Sequence, residues 1–204
     1  MALTFKGINL TGSSHTEKTS AAGTIAGFDF QYYFFLYKLL NLKKNEFIGF
    51  EALDDVHTEL DTEHQVLIQV KHTVQKKANN DAANLTELDI DLWKTLNNWV
   101  SVISDKNDGR QDLVAQKHFV EKTFFVLASN KSFTSTNEFL RKLHQLQNNT
   151  ISNKEFVTYL SDLAASTKSE DIKGYINKAV NLNVDILISF LMRIKTQGNR
   201  MSAH

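Results

Sequence analysis

Residues 46–72, EFIGFEALDDVHTELDTEHQVLIQVKH, admit few folds. EFIGFE is a short aromatic and branched run, and DDVHTEL alternates apolar with polar positions. DTEH is a polar turn, and QVLIQVK is a second branched run. This pattern predicts a meander of three strands. By the strand period of two, Val66, Ile68 and Val70 share one face, and Gln69 and Lys71 project together from the other. Glu51 and Asp55 are four residues apart, so they share parity if one strand runs through both. Two carboxylates, an amide and an ammonium can therefore converge on one patch of a small sheet.

That set suits metal-assisted phosphodiester hydrolysis. A hard cation such as Mg2+ or Mn2+ takes oxygen ligands and keeps several waters, so one or two carboxylates are enough. Asp55 with Glu51 or Asp54 can supply them. Gln69 offers an amide oxygen and Val70 a backbone carbonyl. Lys71 would orient the attacking water and stabilise charge building on the phosphoryl group. Taken singly, Asp54-Asp55 is more often a turn, and a strand-end Lys more often guards an edge against aggregation. The joint arrangement favours a site.

Other chemistries lack support. The 204-residue chain has room for one domain with a helical extension. It holds no cysteine, which excludes disulfides and thiolate metal sites and fits a reducing cytoplasm. His57, His64 and His72 cluster loosely without zinc spacing. No phosphate-cradling Gly-rich loop and no serine nucleophile elbow occurs. The start MALTFKGINL is too short and polar for a secretory signal, and no apolar run reaches membrane-spanning length, so a soluble cytoplasmic chain without a membrane partner is expected.

Taken in order, LTFKGINL suggests a short strand and TGSSHTEKTS a polar loop, so residues 1–21 are expected to be a flexible segment. A helix follows to about residue 42. Phe28, Tyr32, Phe35, Leu39 and Leu42 recur at spacings of three and four, which predicts a helix packed by that stripe. Gln31 is polar in its most apolar part and needs partners, which the site's edge can provide. After the meander, residues 73–89 read as a surface loop, with a capped helix start at TELD near Thr86. Leu88, Leu92, Leu96, Trp99 and Ile103 form its stripe, and Trp93 lies off it. LVAQKHF suggests a short helix and TFFVLASN, 123–130, a buried strand. Four helices then begin at Ser, Asn or Asp. Residues 185–194 are dense in apolar side chains and belong either to the core or to a partner surface. The tail from residue 196 is expected to fray.

The ordered set Gly27-Phe28-Asp29-Phe30-Gln31-Tyr32, Glu51…Asp54-Asp55-Val56, Ile68-Gln69-Val70-Lys71-His72 and Leu92-Trp93-Lys94-Thr95-Leu96…Trp99 resembles a known family. It looks like the double-stranded DNA endonuclease domain of bacterial antiphage effectors. These are the CD-NTase-associated (CBASS) type and relatives fused to NTPase sensors or paired with helicases. Asp55 followed by Gln69-Val70-Lys71 resembles the PD-(D/E)XK nuclease core in its QXK variant. Gln31 stands near the place where many such nucleases carry a Glu in the first helix.

The resemblance implies an α+β (α/β) restriction-endonuclease-like core at 22–130, in the order helix, three strands, helix, strand. A helical part at 131–195 packs on it, and a tail follows at 196–204. It also implies cleavage of double-stranded DNA as a defence effector, with association of copies on activation and a fused or separate sensor, NTPase or helicase. A junction- or RNA-cutting enzyme on the same core is the nearest alternative. A non-catalytic domain recruiting a helicase or sensor is the alternative from another class.

Lys plus Arg equals Asp plus Glu at 23 each, split as 6 basic to 9 acidic up to His72 and 17 to 14 beyond it. An acidic site segment suits cations better than phosphate. DNA contact would then rest on the metal, Lys71, Lys76, Lys77 and Lys94, with Gln31 and His72 as neighbours.

Overall fold

The computed structural model describes residues 21–50, 55–60, 63–72, 83–133 and 136–197. Helix α1 (Ala21–Leu40) leads into strands β1 (Phe47–Phe50), β2 (Val56–Glu59) and β3 (Gln65–Lys71). A two-residue strand β4 (Asn84–Leu85) precedes helices α2 (Ile90–Ile103) and α3 (Leu113–Lys122). Strand β5 (Thr123–Ser129) and the short β6 (Ser132–Phe133) come next. Four helices follow, α4 (Glu138–Gln147), α5 (Asn153–Ser166), α6 (Glu170–Val180) and α7 (Val184–Met192), and β7 (Ile194–Gln197) ends the series. The described residues form an α+β fold of seven helices and a mixed five-stranded sheet in the order β1-β2-β3-β5-β7.

The meander forms as the alternation requires. β1 pairs antiparallel with β2, and β2 with β3, with Val56 opposite Ile68 and Thr58 opposite Val66. The turn between β2 and β3 closes with the Leu60 N–H on the His64 carbonyl at 2.7 Å, and Glu63 adopts φ 61° there. β3 and β5 run parallel, Leu67 beside Phe125 and Lys71 beside Ser129, and β5 pairs parallel with β7. Parallel pairing needs a crossover, which α2 and α3 supply between β3 and β5.

The two faces of the sheet are packed differently. Leu67, Phe125, Leu127 and Ile194 face the larger core, where Trp99, Phe139, Phe156 and Phe190 are almost fully buried. The Phe125 and Phe190 rings meet edge to face at 4.8 Å. On the other face Val56, Ile68, Val70 and Ala128 pack against Phe34 of α1, with Phe30 and Phe35 beside it. Each helix after residue 89 starts on a capping side chain. Asp89, Asp112, Asn137, Ser152, Ser169 and Asn183 all accept N–H groups of the first turn.

Four expectations change. The capped start lies at Asp89, not Thr86, because Glu87 and Leu88 form a turn and Leu88 is exposed. Trp93 is 1 % exposed and gives its Nε1–H to the Glu87 carbonyl at 2.8 Å, so it belongs to the core. The end of the chain does not read as helix then frayed tail. The helix stops at Met192, and Ile194–Gln197 add a fifth strand, so the expected boundary at 195/196 falls inside β7. Ile186, Leu187, Phe190 and Leu191 are buried in the larger core, which removes them as a partner surface.

The largest change concerns α1. Of its expected stripe, Phe28, Tyr32 and Leu39 are 53, 51 and 42 % exposed, while Phe34 is 2 % exposed. A helix apolar around its circumference has no polar side to set its rotation. The groove offered by Val56, Ile68 and Val70 selected the Phe30–Phe34 side instead. The expected strand at LTFKGINL lies outside the described residues.

One glycine is required by packing. A Cβ on Gly49 would lie 1.9 Å from His57 Cε1, because the imidazole of β2 rests over β1 at that position. Gly49→Ala should therefore displace the ring and lower stability by about 1–3 kcal/mol, read by urea unfolding. Unchanged stability would show that the ring swings out without cost.

Candidate functional site

The described site lies where β3 ends, and strand parity builds it. Val56 and Ile68 are paired on the α1 face, so Asp55, one residue before β2, falls beside Gln69 on the opposite side. Gln69 and Lys71 share that side with Leu67 of the larger core. The Asp55 carboxylate is held in place: its Oδ2 accepts the backbone N–H of Val70 at 2.8 Å. In an antiparallel ladder a residue's N–H and C=O point the same way, so the Val70 carbonyl faces the Asp55 side as well. Gln69 is 3 % exposed, and Lys71, at the strand end, is half-buried.

The other candidates separate into three groups. Glu51, Asp54, Lys76 and Lys77 lie outside the described residues. His72 and Gln31 belong to the opposite side of the sheet. His72 turns its ring onto Phe30, with centroids 4.9 Å apart, and its Nδ1 is buried without a hydrogen-bond partner. Burial lowers its pKa below the ordinary histidine value, so the ring brings no positive charge near neutral pH. Gln31 is half-buried on α1, which covers the Ile68–Val70 face rather than the face of Gln69 and Lys71. Lys94 is exposed on α2, between the buried Trp93 and Thr95.

A neighbouring cluster was not read from the sequence. Lys131, 8 % exposed, follows β5 and places its Nζ 2.7 Å from Asp89 Oδ2 and 2.9 Å from Asp91 Oδ2. Burial pulls the lysine pKa down, but the hydrogen bonds and charges of Asp89 and Asp91 outweigh it, and the pKa stands above the usual lysine value. The Lys131 N–H donates to Ser129 Oγ at 3.1 Å, and the Asn130 N–H reaches the Lys71 carbonyl at 3.4 Å. Lys131 thus ties the end of β5, and with it the end of β3, to the N-terminus of α2. Its charge is spent on two carboxylates, so it adds little attraction for phosphate. Asp89 as an N-cap was the one sequence signal; a partner 42 residues away has none.

The largest cleft, about 860 Å3, sits at the far end of β3. Glu59, Glu63, Gln65, Arg110, His118 and Lys122 are among its lining residues, and Asp55, Gln69 and Lys71 are not. The candidate site is an open strand end, which suits a polymer substrate better than an enclosed small molecule. No three His, Cys, Asp or Glu side chains converge among the described residues. The donors that are described beside one another, the Asp55 carboxylate, the Gln69 amide and the Val70 carbonyl, are all oxygen donors, which fits a hard cation. No described helix is long and apolar enough to cross a membrane. In comparisons with known proteins the chain matches no family model, no curated protein and no solved structure.

Proposed function

We propose that this chain is a Mg2+- or Mn2+-dependent endonuclease acting on double-stranded DNA, serving as a cytoplasmic antiphage effector domain on a restriction-endonuclease-like core. The observation that carries the reading is the Val70 N–H to Asp55 bond at 2.8 Å, which holds one carboxylate against the strand bearing Gln69 and Lys71. The order helix, antiparallel three-strand meander, helix and parallel strand supports the same core.

Asp55 would hold the cation with the Val70 carbonyl and the Gln69 amide, joined by Glu51 or Asp54. The bound cation supplies Lewis-acid polarisation of the phosphodiester. Lys71 would direct its ammonium at the phosphoryl oxygens as negative charge builds, and orient the water that attacks phosphorus. Gln69, buried among apolar neighbours, would hold its amide in one orientation. One such site cuts one strand, so a double-strand break needs two copies facing opposite strands.

The test uses supercoiled plasmid with Mg2+ or with EDTA. The wild type should linearise it only with the metal. Asp55→Asn keeps an acceptor for the Val70 N–H but removes the charge, and should cut at least about 100-fold more slowly with an unchanged melting curve. Calorimetry with Mn2+ should show binding to the wild type and none to the variant. A wild type that neither binds metal nor cuts would sink the nuclease and favour a recruiting domain.

A further inference from the structure

We infer that the aromatic face of α1 and the open edge of β1 form the surface on which a second copy of this chain docks. This rests on packing alone and stands apart from the nuclease reading. On the side of α1 turned from the sheet, Phe28, Tyr32, Tyr33, Tyr37 and Leu40 are 53, 51, 64, 48 and 84 % exposed. Phe47 on β1 is 67 % exposed, and the Tyr32 ring lies 6.4 Å from that of Phe50, so helix face and strand edge are continuous.

The size fits a stable contact. An aromatic side chain presents about 200 Å2. Six residues roughly half to four-fifths exposed then offer on the order of 700 Å2, close to the ~800 Å2 that one partner gives to a standard interface. An exposed apolar area of this extent is above what a monomer ordinarily shows.

The chemistry selects the occupant. The exposed side of α1 carries Asp29 as its charge, and Lys38 sits over the Phe34 ring at 5.6 Å, on the sheet side. A face without exposed cations does not hold a phosphate backbone. β1 closes the described sheet on one side and reads FIGF, with no proline or lysine to block its free edge. Such an edge is its own complement. Two β1 strands can pair antiparallel about a two-fold axis normal to the sheet, giving one sheet of ten strands. That same axis sets both α1 helices on one side of the joined sheet, with their aromatic faces together. A self-complementary edge beside a self-complementary apolar face points to the chain itself.

Sedimentation equilibrium tests this. The wild type should be a dimer at micromolar concentration. Leu40→Glu and Phe47→Lys alter side chains that support nothing within one copy. Each should weaken dimerisation at least about 30-fold, and both together should give a monomer that melts as the dilute wild type does. A wild type still monomeric at about 50 µM would overturn the inference, as would a double variant that dimerises like the wild type. Plasmid cutting is read separately, so a dimer without nuclease activity would overturn only the proposed function.

Discussion

Lys71→Ala should leave the melting curve of this protein near wild type while slowing DNA cleavage at least about 100-fold. Lys71 ends β3 on the side opposite Val66 and Val70, so its side chain takes no part in the α1 core. The strand end is tied by the main chain instead, through the Asn130 N–H on the Lys71 carbonyl, which alanine keeps. What is lost is one preorganised positive group at the place where charge would build. Losing such a group costs about 3 kcal/mol of barrier. Lys71→Arg should rescue only in part, because a planar guanidinium does not replace a compact ammonium. Plasmid nicking rates at saturating Mg2+ decide the matter. Cutting by Lys71→Ala at the wild-type rate would remove Lys71 from the site.

Lys131→Ala should be the most destabilising of the substitutions considered, by about 3 kcal/mol, because it leaves the nearly buried Asp89 carboxylate without its counter-charge. At this chain length that corresponds to a fall of roughly 6–12 °C in Tm. Adding Asp89→Ser removes the stranded charge while keeping a side chain that caps α2, so the double variant should recover most of the loss. The pH dependence has a definite sign. The Lys131 pKa is raised above the ordinary 10.5, so its contribution is fully present below that value and is lost only as pH climbs through the raised pKa. Because Lys131 anchors the end of β5 beside Lys71, the single variant should also cut poorly, and the double variant better. A single variant as stable as wild type in urea would show the pair to be dispensable.

The parts legible in the sequence are those set within a few residues. Strand alternation placed the meander and assigned Asp55, Gln69 and Lys71 to one side, since parity survives whatever packs on top. The short capping side chains at Asn137, Ser152, Ser169 and Asn183 marked four helix starts, because a cap acts on N–H groups two or three positions away. What only the tertiary structure decided depends on contacts distant along the chain. The rotation of α1 had no local signal, being apolar all round, and was set by the groove of Val56, Ile68 and Val70. Ile194–Gln197 became a strand because the free edge of β5 accepted it in parallel, a pairing made across some seventy residues. Residues 186–191 were apolar enough for a core or a partner surface, and only Phe125 and Trp99 meeting Phe190 settled which. Lys131 looked like one more surface lysine until the fold brought Asp89 and Asp91 to it. Periodicity tells which side chains face together, but what they face is chosen by packing between segments that the sequence keeps far apart.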